Sequence, residues 1–318
     1  MKFAGIIAEY DPFHNGHAWQ LAQAKALGAE RVAVAMSCSL VQRGALPLLP
    51  EAVRTRSALT CGADLVFALP APCACAGAEA FARAGVALLA AAGCDGLVFG
   101  AETPDAALLM EAAELLDSGS YRAALKAQLA GGARSFAAAR QAAAAQLASD
   151  ERVAALLDKP NNNLAVEYCR AIRSLAPRME AYPLPRQGAN HGEALHSAHG
   201  QFASASALRK LWAEGGADAV APYVPEAVFP LYQEAYAAGQ YTDFSAAGRC
   251  ELALLRSACR GKAPFADIRG VSEGLEHRLE AAVRTSTTYD ELLDALATVR
   301  YPRARMRRLA MDAALGFT

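Results

Sequence analysis

The chain has 318 residues, 54% hydrophobic and 20% charged, which is enough for one large or two ordinary domains and excludes wholesale disorder. Its formal net charge of −1 excludes a global basic field for nucleic acid, so any RNA contact needs a local patch. No apolar stretch reaches the roughly 18 residues that cross a bilayer, and no signal-peptide pattern is present. The eight cysteines form no Cys-x-x-Cys pair. We therefore expect a cytoplasmic protein with reduced thiols, no structural zinc and no membrane partner.

Short apolar runs alternate with helical segments along the first half of the chain. The sequence predicts strands at 3–8, 31–36, 65–69, 96–99 and 181–185. It predicts helices at about 18–27, 51–62, 77–92, 105–115, within 116–158, at 164–174 and from Ser206 onward, with a loop over 187–200. This alternation is typical of an α/β fold with a Rossmann-like parallel sheet and right-handed crossovers. We expect that core to occupy residues 1–215 and a helical C-terminal domain to occupy residues 216–318.

The turn after the first predicted strand carries His14 and His17, three residues apart, immediately before a helix. Free backbone N–H groups and the helix dipole make such a terminus favourable for phosphate, and Gly16 would let phosphate approach the backbone. Imidazoles can stabilise the charge that builds during attack at an α-phosphate, so this turn indicates nucleotidyl transfer. By spacing alone, surface residues or a chance metal pair are the simpler interpretation of the two histidines, and it is the strand–turn–helix context that favours chemistry.

Other candidate positions each have two interpretations. Ser204, Ser206 and Arg209 begin a helix and suit a β/γ-phosphate clamp, or form an ordinary serine cap with a solvent arginine. Gly100 would let an adenine or ribose approach, or ends a strand in a plain turn. Asn162 would bind a base or sugar, or cap a helix, and Arg186 would hold a phosphate, or is a surface charge.

Two further clusters involve histidine and arginine. His191, His196 and His199 would form a metal site only if they converge, and solvated loop histidines are the simpler interpretation. A basic segment near the C-terminus suits contact with an RNA backbone, or is a helix face paired with acids of the same chain. Its arginines are Arg300, Arg303, Arg305, Arg307 and Arg308.

The chain resembles the bacterial tRNA(Met) cytidine acetate ligase family, a branch of the His-x-Gly-His nucleotidyltransferase superfamily. The resemblance covers nearly the whole chain and rests on these motifs: Glu9 to His17, Val41 to Gly44, Gly62 to Val66, Phe99 to Glu102, Lys159 to Asn162 with Glu167 and Tyr168, Ser204 to Arg209, and Arg300 with Tyr301. The sequence departs from the usual family pattern at Cys38, Ser39 and Glu51 and in the thinning of basic residues before Arg300, and it stops some tens of residues earlier.

The resemblance implies activation of acetate by ATP to acetyl-adenylate, then acetyl transfer to N4 of the wobble cytidine of elongator tRNA(Met). His14 and His17 would be catalytic, and Ser204, Ser206 and Arg209 would clamp phosphates. The resemblance implies that ATP also meets Ile7, Ala8, Glu9, Tyr10, Asp11, Pro12, Phe13, Asn15, Gly16, Gln20, Gly100, Asn162 and Arg186. No resident metal is expected, while Mg²⁺ accompanying ATP and the oligomeric state are left open. The alternatives are an adenylyltransferase for a small metabolite and a nucleotide- or RNA-binding paralogue with altered catalysis.

Overall fold

A computed structural model describes residues 1–133, 135–185, 195–197, 200–260 and 263–318. Five strands form the main sheet: β1 (Phe3–Ala8), β2 (Arg31–Ser37), β3 (Leu65–Leu69), β4 (Gly96–Ala101) and β5 (Glu180–Pro185). All are parallel, in the order β3-β2-β1-β4-β5. Buried apolar residues fill β1, β2 and β4, as expected for strands covered by helices on both faces. The predicted α/β class with a Rossmann-like parallel sheet is confirmed.

Helices connect the strands and follow them. In the described ranges, the helices before β5 are α1 (Asn15–Ala26), α2 (Glu51–Thr60), α3 (Ala71–Ala74), α4 (Ala78–Ala91), α5 (Ala106–Asp117), α6 (Gly119–Ala130), α7 (Phe136–Leu147), α8 (Glu151–Leu156) and α9 (Pro160–Leu175). Those after β5 are α10 (Ala205–Val220), α11 (Phe229–Ala237), α12 (Phe244–Ala258), α13 (Leu275–Thr285), α14 (Tyr289–Leu296) and α15 (Arg303–Leu315). Within the described residues no helix is long and apolar enough to cross a membrane.

Three sequence predictions of local structure are wrong. Helix α1 begins at Asn15 rather than at residue 18, because His14 acts as its N-cap. Helix α9 begins at Pro160 rather than at residue 164, because proline fits a helix's first turn, where no N–H is needed. The described part of the predicted loop over 187–200 contains β6 (Leu195–Ser197), which pairs antiparallel with β7 (Gly200–Phe202).

Among the described residues, buried apolar side chains form two large clusters around the sheet, a third beyond it and a small fourth one. One sheet cluster includes Val34 and Leu208 together with Val220 and Tyr232, so α10 and α11 pack with the sheet. The third cluster is built from α12 to α15 and centres on residues such as Leu279. Helix α10 is kinked where Gly216 adopts φ 67°. The domain boundary near residue 215 stays a prediction.

Glu251 is a buried carboxyl on α12, 8% exposed, which accepts a 2.6 Å hydrogen bond from the Tyr289 hydroxyl. Burial raises its pKa from 4.5 to about 7. The contribution of the protonated carboxyl to the free energy of unfolding is therefore fully present below about pH 4.5 and is lost as the pH rises through about 7. Glutamine cannot ionise, so we expect the free energy of unfolding of Glu251→Gln, relative to that of the unmodified protein, to rise by roughly 1–3 kcal/mol from pH 5 to pH 8. Urea unfolding at the two pH values checks this, with Glu226→Gln at an exposed position as the control. The same difference in free energy of unfolding at both pH values would contradict the prediction.

Candidate active site

A cavity of about 380 Å³ opens at the carboxyl edge of the main sheet. Ile7 and Ala8 at the end of β1 line it, together with Phe99 and Gly100 at the end of β4. These two strands are neighbours across which the strand order reverses, because β2 and β3 lie on one side and β5 on the other. Ligands of open parallel sheets bind at this switch point. The cavity is therefore where the fold itself predicts a binding site.

His14 and His17 form a capping box at the start of α1, and both line the cavity. Nδ1 of His14 accepts a 3.0 Å hydrogen bond from the N–H of Gly16, and Nδ1 of His17 accepts one of 3.3 Å from the N–H of His14. The rings stack with centroids 3.8 Å apart. Because each Nδ1 is an acceptor, the proton of each neutral ring lies on Nε2. A cap thus sets which nitrogen of each ring can donate to an oxyanion.

Gly16 has a packing role that the sequence analysis did not predict. A Cβ at this position would lie 2.9 Å from Cε1 of His14, so the glycine makes room for the imidazole. A phosphate against the Gly16 backbone stays a prediction. Tyr10 and Phe13, both fully buried, pack edge-on or tilted against His17 at centroid distances of 4.8 and 5.6 Å. Aromatic packing therefore helps to fix the second imidazole.

Glu9 is a carboxylate on the cavity wall that holds a neighbouring loop. Its Oε1 accepts a short hydrogen bond from the N–H of Gln42, which also lines the cavity. Burial raises the pKa of Glu9, although the hydrogen bond from the Gln42 N–H and, less strongly, the charges of Arg43 and Arg209 lower it in part. The link brings the loop after β2 up to the end of β1.

Asp11 is the centre of a second set of contacts at the same edge. Its side chain is 1% exposed and accepts from the N–H of Leu48 at 2.5 Å, from Arg209 at 3.4 Å and, in a shorter contact, from Arg43. Arg209 also donates to the Asp11 carbonyl at 2.6 Å. Burial, and secondly the Arg43 charge, lower the pKa of Arg209 to about 10. Two guanidinium groups therefore share one carboxylate beside the cavity.

Arg54 of α2 is fully buried and joins the ends of two strands. It donates to the carbonyls of Leu49 at 2.9 Å, Glu9 at 2.7 Å and Ser37 at 2.6 Å, and also to that of Cys38. Burial lowers its pKa. No sequence signal distinguished this arginine from an exposed one, and our sequence analysis missed it.

The chain region that was predicted to clamp phosphates starts α10. Ser204 is the N-cap, its Oγ accepting from the N–H of Ala207 at 3.2 Å and lying 3.0 Å from Oγ of Ser206. Ser204 lines the cavity, whereas Ser206, which is exposed, and Arg209 do not. The serine cap is thus present, and the phosphate clamp stays a prediction.

Asn162 binds protein rather than facing the cavity. It is 1% exposed, accepts from the N–H of Thr103 at 2.9 Å and donates to that residue's Oγ1 at 3.1 Å. Glu102 accepts from the N–H groups of Asn161 and Asn162 and so satisfies the start of α9. Asn161, which we did not single out, lines the cavity in its place.

The cavity brings most of the predicted nucleotide residues together. Those that line it are Ile7, Ala8, Glu9, Tyr10, Asp11, His14, Gly16, His17, Gln20, Gly100 and Ser204. Those that do not are Pro12, Phe13, Asn15, Asn162, Ser206 and Arg209. Arg186, His191 and His199 lie outside the described residues, as does the side chain of His196. Within the described part of the chain, no group of three or more His, Cys, Asp or Glu side chains could hold a metal ion.

Comparison with known proteins assigns the chain to a family. A family model described as HIGH Nucleotidyl Transferase matches residues 1–318. The tRNA(Met) cytidine acetate ligase of Syntrophotalea carbinolica is 36% identical over 314 residues, which are 98% of this chain and 73% of the relative. The ligase of that name from Acetivibrio thermocellus is 33% identical, covering 100% of this chain and 78% of the relative. The chain belongs to the tRNA(Met) cytidine acetate ligase family.

Solved structures agree with that assignment. TmcAL of Thermotoga maritima bound with alpha-thio ATP superposes with a TM-score of 0.89 at 29% identity, covering 100% of this chain and 76% of that one. The apo form of the same protein gives 0.92 at 30% identity. The predictions of this ligase family, of a ligase enzyme and of a nucleotidyltransferase core are therefore confirmed.

In this family member the basic segment is partly neutralised within the chain. Arg300 donates to Glu273 at 2.6 Å. Arg303 contacts Asp290 at 2.5 Å and also pairs with Asp294. Such internal acid partners are the second of the two interpretations given above. For Arg305 and Arg307, no ion pair occurs with any residue in the described ranges.

Helix α15 rests on the loop that carries Gln42 and Arg43. Gly44 adopts φ 76°, and a Cβ there would lie 2.7 Å from the backbone N of Arg308. Arg308 donates from its side chain to the carbonyl of Gln42 at 3.4 Å, and burial lowers its pKa. Close backbone approach thus couples the C-terminal helices to a loop of the cavity wall.

We expect Gly44→Ala to destabilise the protein by roughly 2–4 kcal/mol, because it adds left-handed strain and a clash with a backbone. Gly62→Ala is the matched control, since Gly62 has φ 104° but nothing within 4 Å of an added Cβ. Its effect measures the strain alone. Chemical denaturation compares the two variants. Equal losses in the free energy of unfolding would show that α15 moves away from the added Cβ without destabilising the protein.

Proposed function

We propose that this protein activates acetate with ATP and transfers the acetyl group to N4 of the wobble cytidine of elongator tRNA(Met). The observation that carries the proposal is the pair of imidazoles held by a capping box in the switch-point cavity. Family membership and the relatives' names support the choice of substrates. The cavity's position favours a nucleotide lying between the ends of β1 and β4.

The first step would join acetate to the α-phosphorus. An acetate oxygen attacks that atom, the bond to the bridging oxygen breaks, and pyrophosphate leaves with the electron pair. The Nε2–H groups of His14 and His17 would donate to the oxygens on which charge builds. The dipole of α1, whose positive end lies at this helix start, favours the same anionic charge. The chain's contribution to this step is orientation and electrostatic stabilisation.

The second step would form the amide. The exocyclic amine of cytidine attacks the acetyl carbon, AMP leaves with the bonding pair, and the nitrogen loses a proton. An unstacked anticodon base is accessible to such a pocket.

Acetate-dependent exchange of labelled pyrophosphate into ATP, measured without RNA, tests the first step. We expect exchange that needs acetate and that other small carboxylic acids support less well. Absence of exchange at saturating acetate would remove the ligase proposal. If exchange occurs only with a different carboxylic acid, that acid rather than acetate is the substrate of the first step.

The basic segment is proposed to contact the RNA backbone, mainly through Arg305 and Arg307. The Arg305 guanidinium lies 5.0 Å from the centroid of Tyr301, so cation and ring are presented together. We expect the Arg305→Ala, Arg307→Ala double variant to weaken tRNA binding and to lower the salt slope by roughly 1 per arginine. The exposed pair Arg122→Ala, Arg152→Ala removes the same charge elsewhere. Filter binding across salt concentrations distinguishes them, and equal slopes would take the segment out of the RNA interface.

A further inference from the structure

The cavity at the switch point reaches both faces of the main sheet. Side chains alternate along β1, so neighbouring residues face opposite sides. Ala8 packs in the buried cluster that holds Leu21 of α1. Ile7 packs in the cluster that holds Phe81 of α4. Ile7 and Ala8 both line the cavity, which therefore extends around the end of β1, with α1 on one face of the sheet and α4 on the other.

The register of α4 on β1 places Phe81 over the end of that strand. A Cβ added to Gly5 would lie 2.8 Å from Cδ1 of Leu89, and one added to Gly85 would lie 2.5 Å from Cδ1 of Ile7. Helix and strand therefore run in opposite directions in close contact. Phe81 comes about one helical turn, roughly 5.4 Å, before Gly85, and the chain beyond Ile7 advances roughly 3.3 Å per residue. Phe81 thus lies level with the end of β1, where it lines the cavity.

Helices α4 and α9 form an apolar wall at this end of the cavity. Phe81 of α4 lines it together with Leu164 and Tyr168 of α9. The two helices pack against each other, and the ring of Tyr168 packs against Phe99 with centroids 5.4 Å apart. Phe81 is 2% exposed and Tyr168 is 4% exposed. Closely packed rings move little, so this wall limits the size of what the cavity can hold.

The proposed function needs the carboxylic acid on this side of the cavity. Displacement at phosphorus puts the attacking and leaving oxygens roughly in line. The positive end of the α1 dipole, where His14 and His17 lie, favours phosphate on the α1 face of the sheet. With pyrophosphate leaving on that face, the acid would attack the α-phosphorus from the face that α4 covers. Its carboxylate would then point to the phosphorus and its alkyl group to Phe81.

The charged groups beside this pocket balance one another. Glu9 and Asp11 are the carboxylates among the described residues that line the cavity. Arg43 and Arg209 pair with Asp11, and the charges of both also act on Glu9. Two cations therefore offset two carboxylates, so the carboxylate of an incoming acid meets no net negative wall.

We propose that Phe81 sets the chain length of the carboxylic acid that this enzyme activates. Its ring is the end wall of an acid pocket, where the methyl group of acetate fits and each further carbon meets the ring. This role rests on the proposed function, because it assumes that ATP activates a carboxylic acid. It adds a specificity residue that takes part in no bond-making step and lies outside every motif that carries the family resemblance.

The experiment measures kcat/KM for acetate, propionate and butyrate in acid-dependent exchange of pyrophosphate into ATP. The unmodified protein is expected to prefer acetate to propionate by roughly 10- to 200-fold, the usual discrimination for one methylene. Phe81→Leu moves the wall back, so we expect this preference to fall by roughly 10-fold or more. Phe81→Ala opens more space, and we expect it to use butyrate as well. The KM for ATP should stay close to normal in both variants.

Phe265→Leu is the matched control for Phe81→Leu. Phe265 is fully buried in the cluster that α12 to α15 build, so this variant loses the same side-chain volume away from the cavity. We expect its preference for acetate to equal that of the unmodified protein. Circular dichroism checks that each variant is folded before the rates are compared. Where the larger void of Phe81→Ala prevents folding, Phe81→Leu decides, because leucine fills most of the volume of the ring.

The outcomes separate the role of Phe81 from the proposed function. Absence of exchange with every carboxylic acid in the unmodified protein would overturn the activation step itself. Normal acetate-dependent exchange with an unchanged acid preference in Phe81→Leu would overturn the role of Phe81 alone. A raised KM for ATP with that preference unchanged would also overturn it and would assign the wall to the nucleotide. A wider range of acids in the Phe81 variants, with Phe265→Leu unchanged, would establish the acid pocket.

Discussion

Replacing His14 by alanine is expected to lower the rate of acetate-dependent pyrophosphate exchange by roughly 10²–10³-fold. That is the usual loss when one preorganised donor to a developing oxyanion is removed. The ring lines the switch-point cavity and has its proton on Nε2, because Nδ1 accepts from Gly16. Initial rates at saturating ATP and acetate give the comparison.

A second variant separates this chemical role from the structural one. Asparagine is a strong helix N-cap, so His14→Asn keeps the start of α1 while removing the imidazole. We expect it to fold with near-normal stability and to lose nearly as much activity as His14→Ala. His277→Ala, at a position 75% exposed on α13, controls for loss of a histidine elsewhere. An almost fully active His14→Asn would reduce His14 to a capping residue.

Arg54→Met should lower the free energy of unfolding by about 4 kcal/mol or more. The side chain is fully buried and donates to four backbone carbonyls, which methionine would leave without a donor. Each buried polar group left unsatisfied is worth roughly 1–3 kcal/mol. The ends of β1 and β2 carry Glu9 and Cys38, so nucleotide affinity should fall as well.

Arg56→Met on the same helix is the matched control for Arg54. Its side chain is 62% exposed and its ion pair with Glu234 measures 4.0 Å, so we expect a change within about 0.5 kcal/mol. Urea unfolding measures both variants. A loss at Arg54 no larger than at Arg56 would show that water or a rearranged backbone satisfies those carbonyls.

The strands and the site could be predicted where the sequence pattern lies within a few consecutive residues. All five strands of the main sheet carry short apolar runs, and four of them lie between predicted helices, so their bounds were placed within two residues. The site followed from strand order, because a turn after the first strand faces the switch point. The start of α1 was missed because histidine is an unusual N-cap.

Side-chain partners were not predictable, because they depend on distant segments. The carbonyls that Arg54 satisfies belong to residues 5 to 45 positions away. Arg300 and Arg303 look like an RNA-binding segment in sequence, yet acids 9 to 27 residues earlier bind them. The contact between Gly44 and α15 joins positions more than 260 residues apart, and a lone glycine gives no hint of it.

The capping box has a consequence for acid sensitivity. Both Nδ1 atoms accept backbone N–H groups, so a second proton on either ring replaces an attraction with a repulsion. The protonated ring loses its hydrogen bond to the backbone and with it the contact that positions its own Nε2–H. We therefore expect weakening of the helix start and loss of the positioned donor to occur together when either ring takes up a second proton.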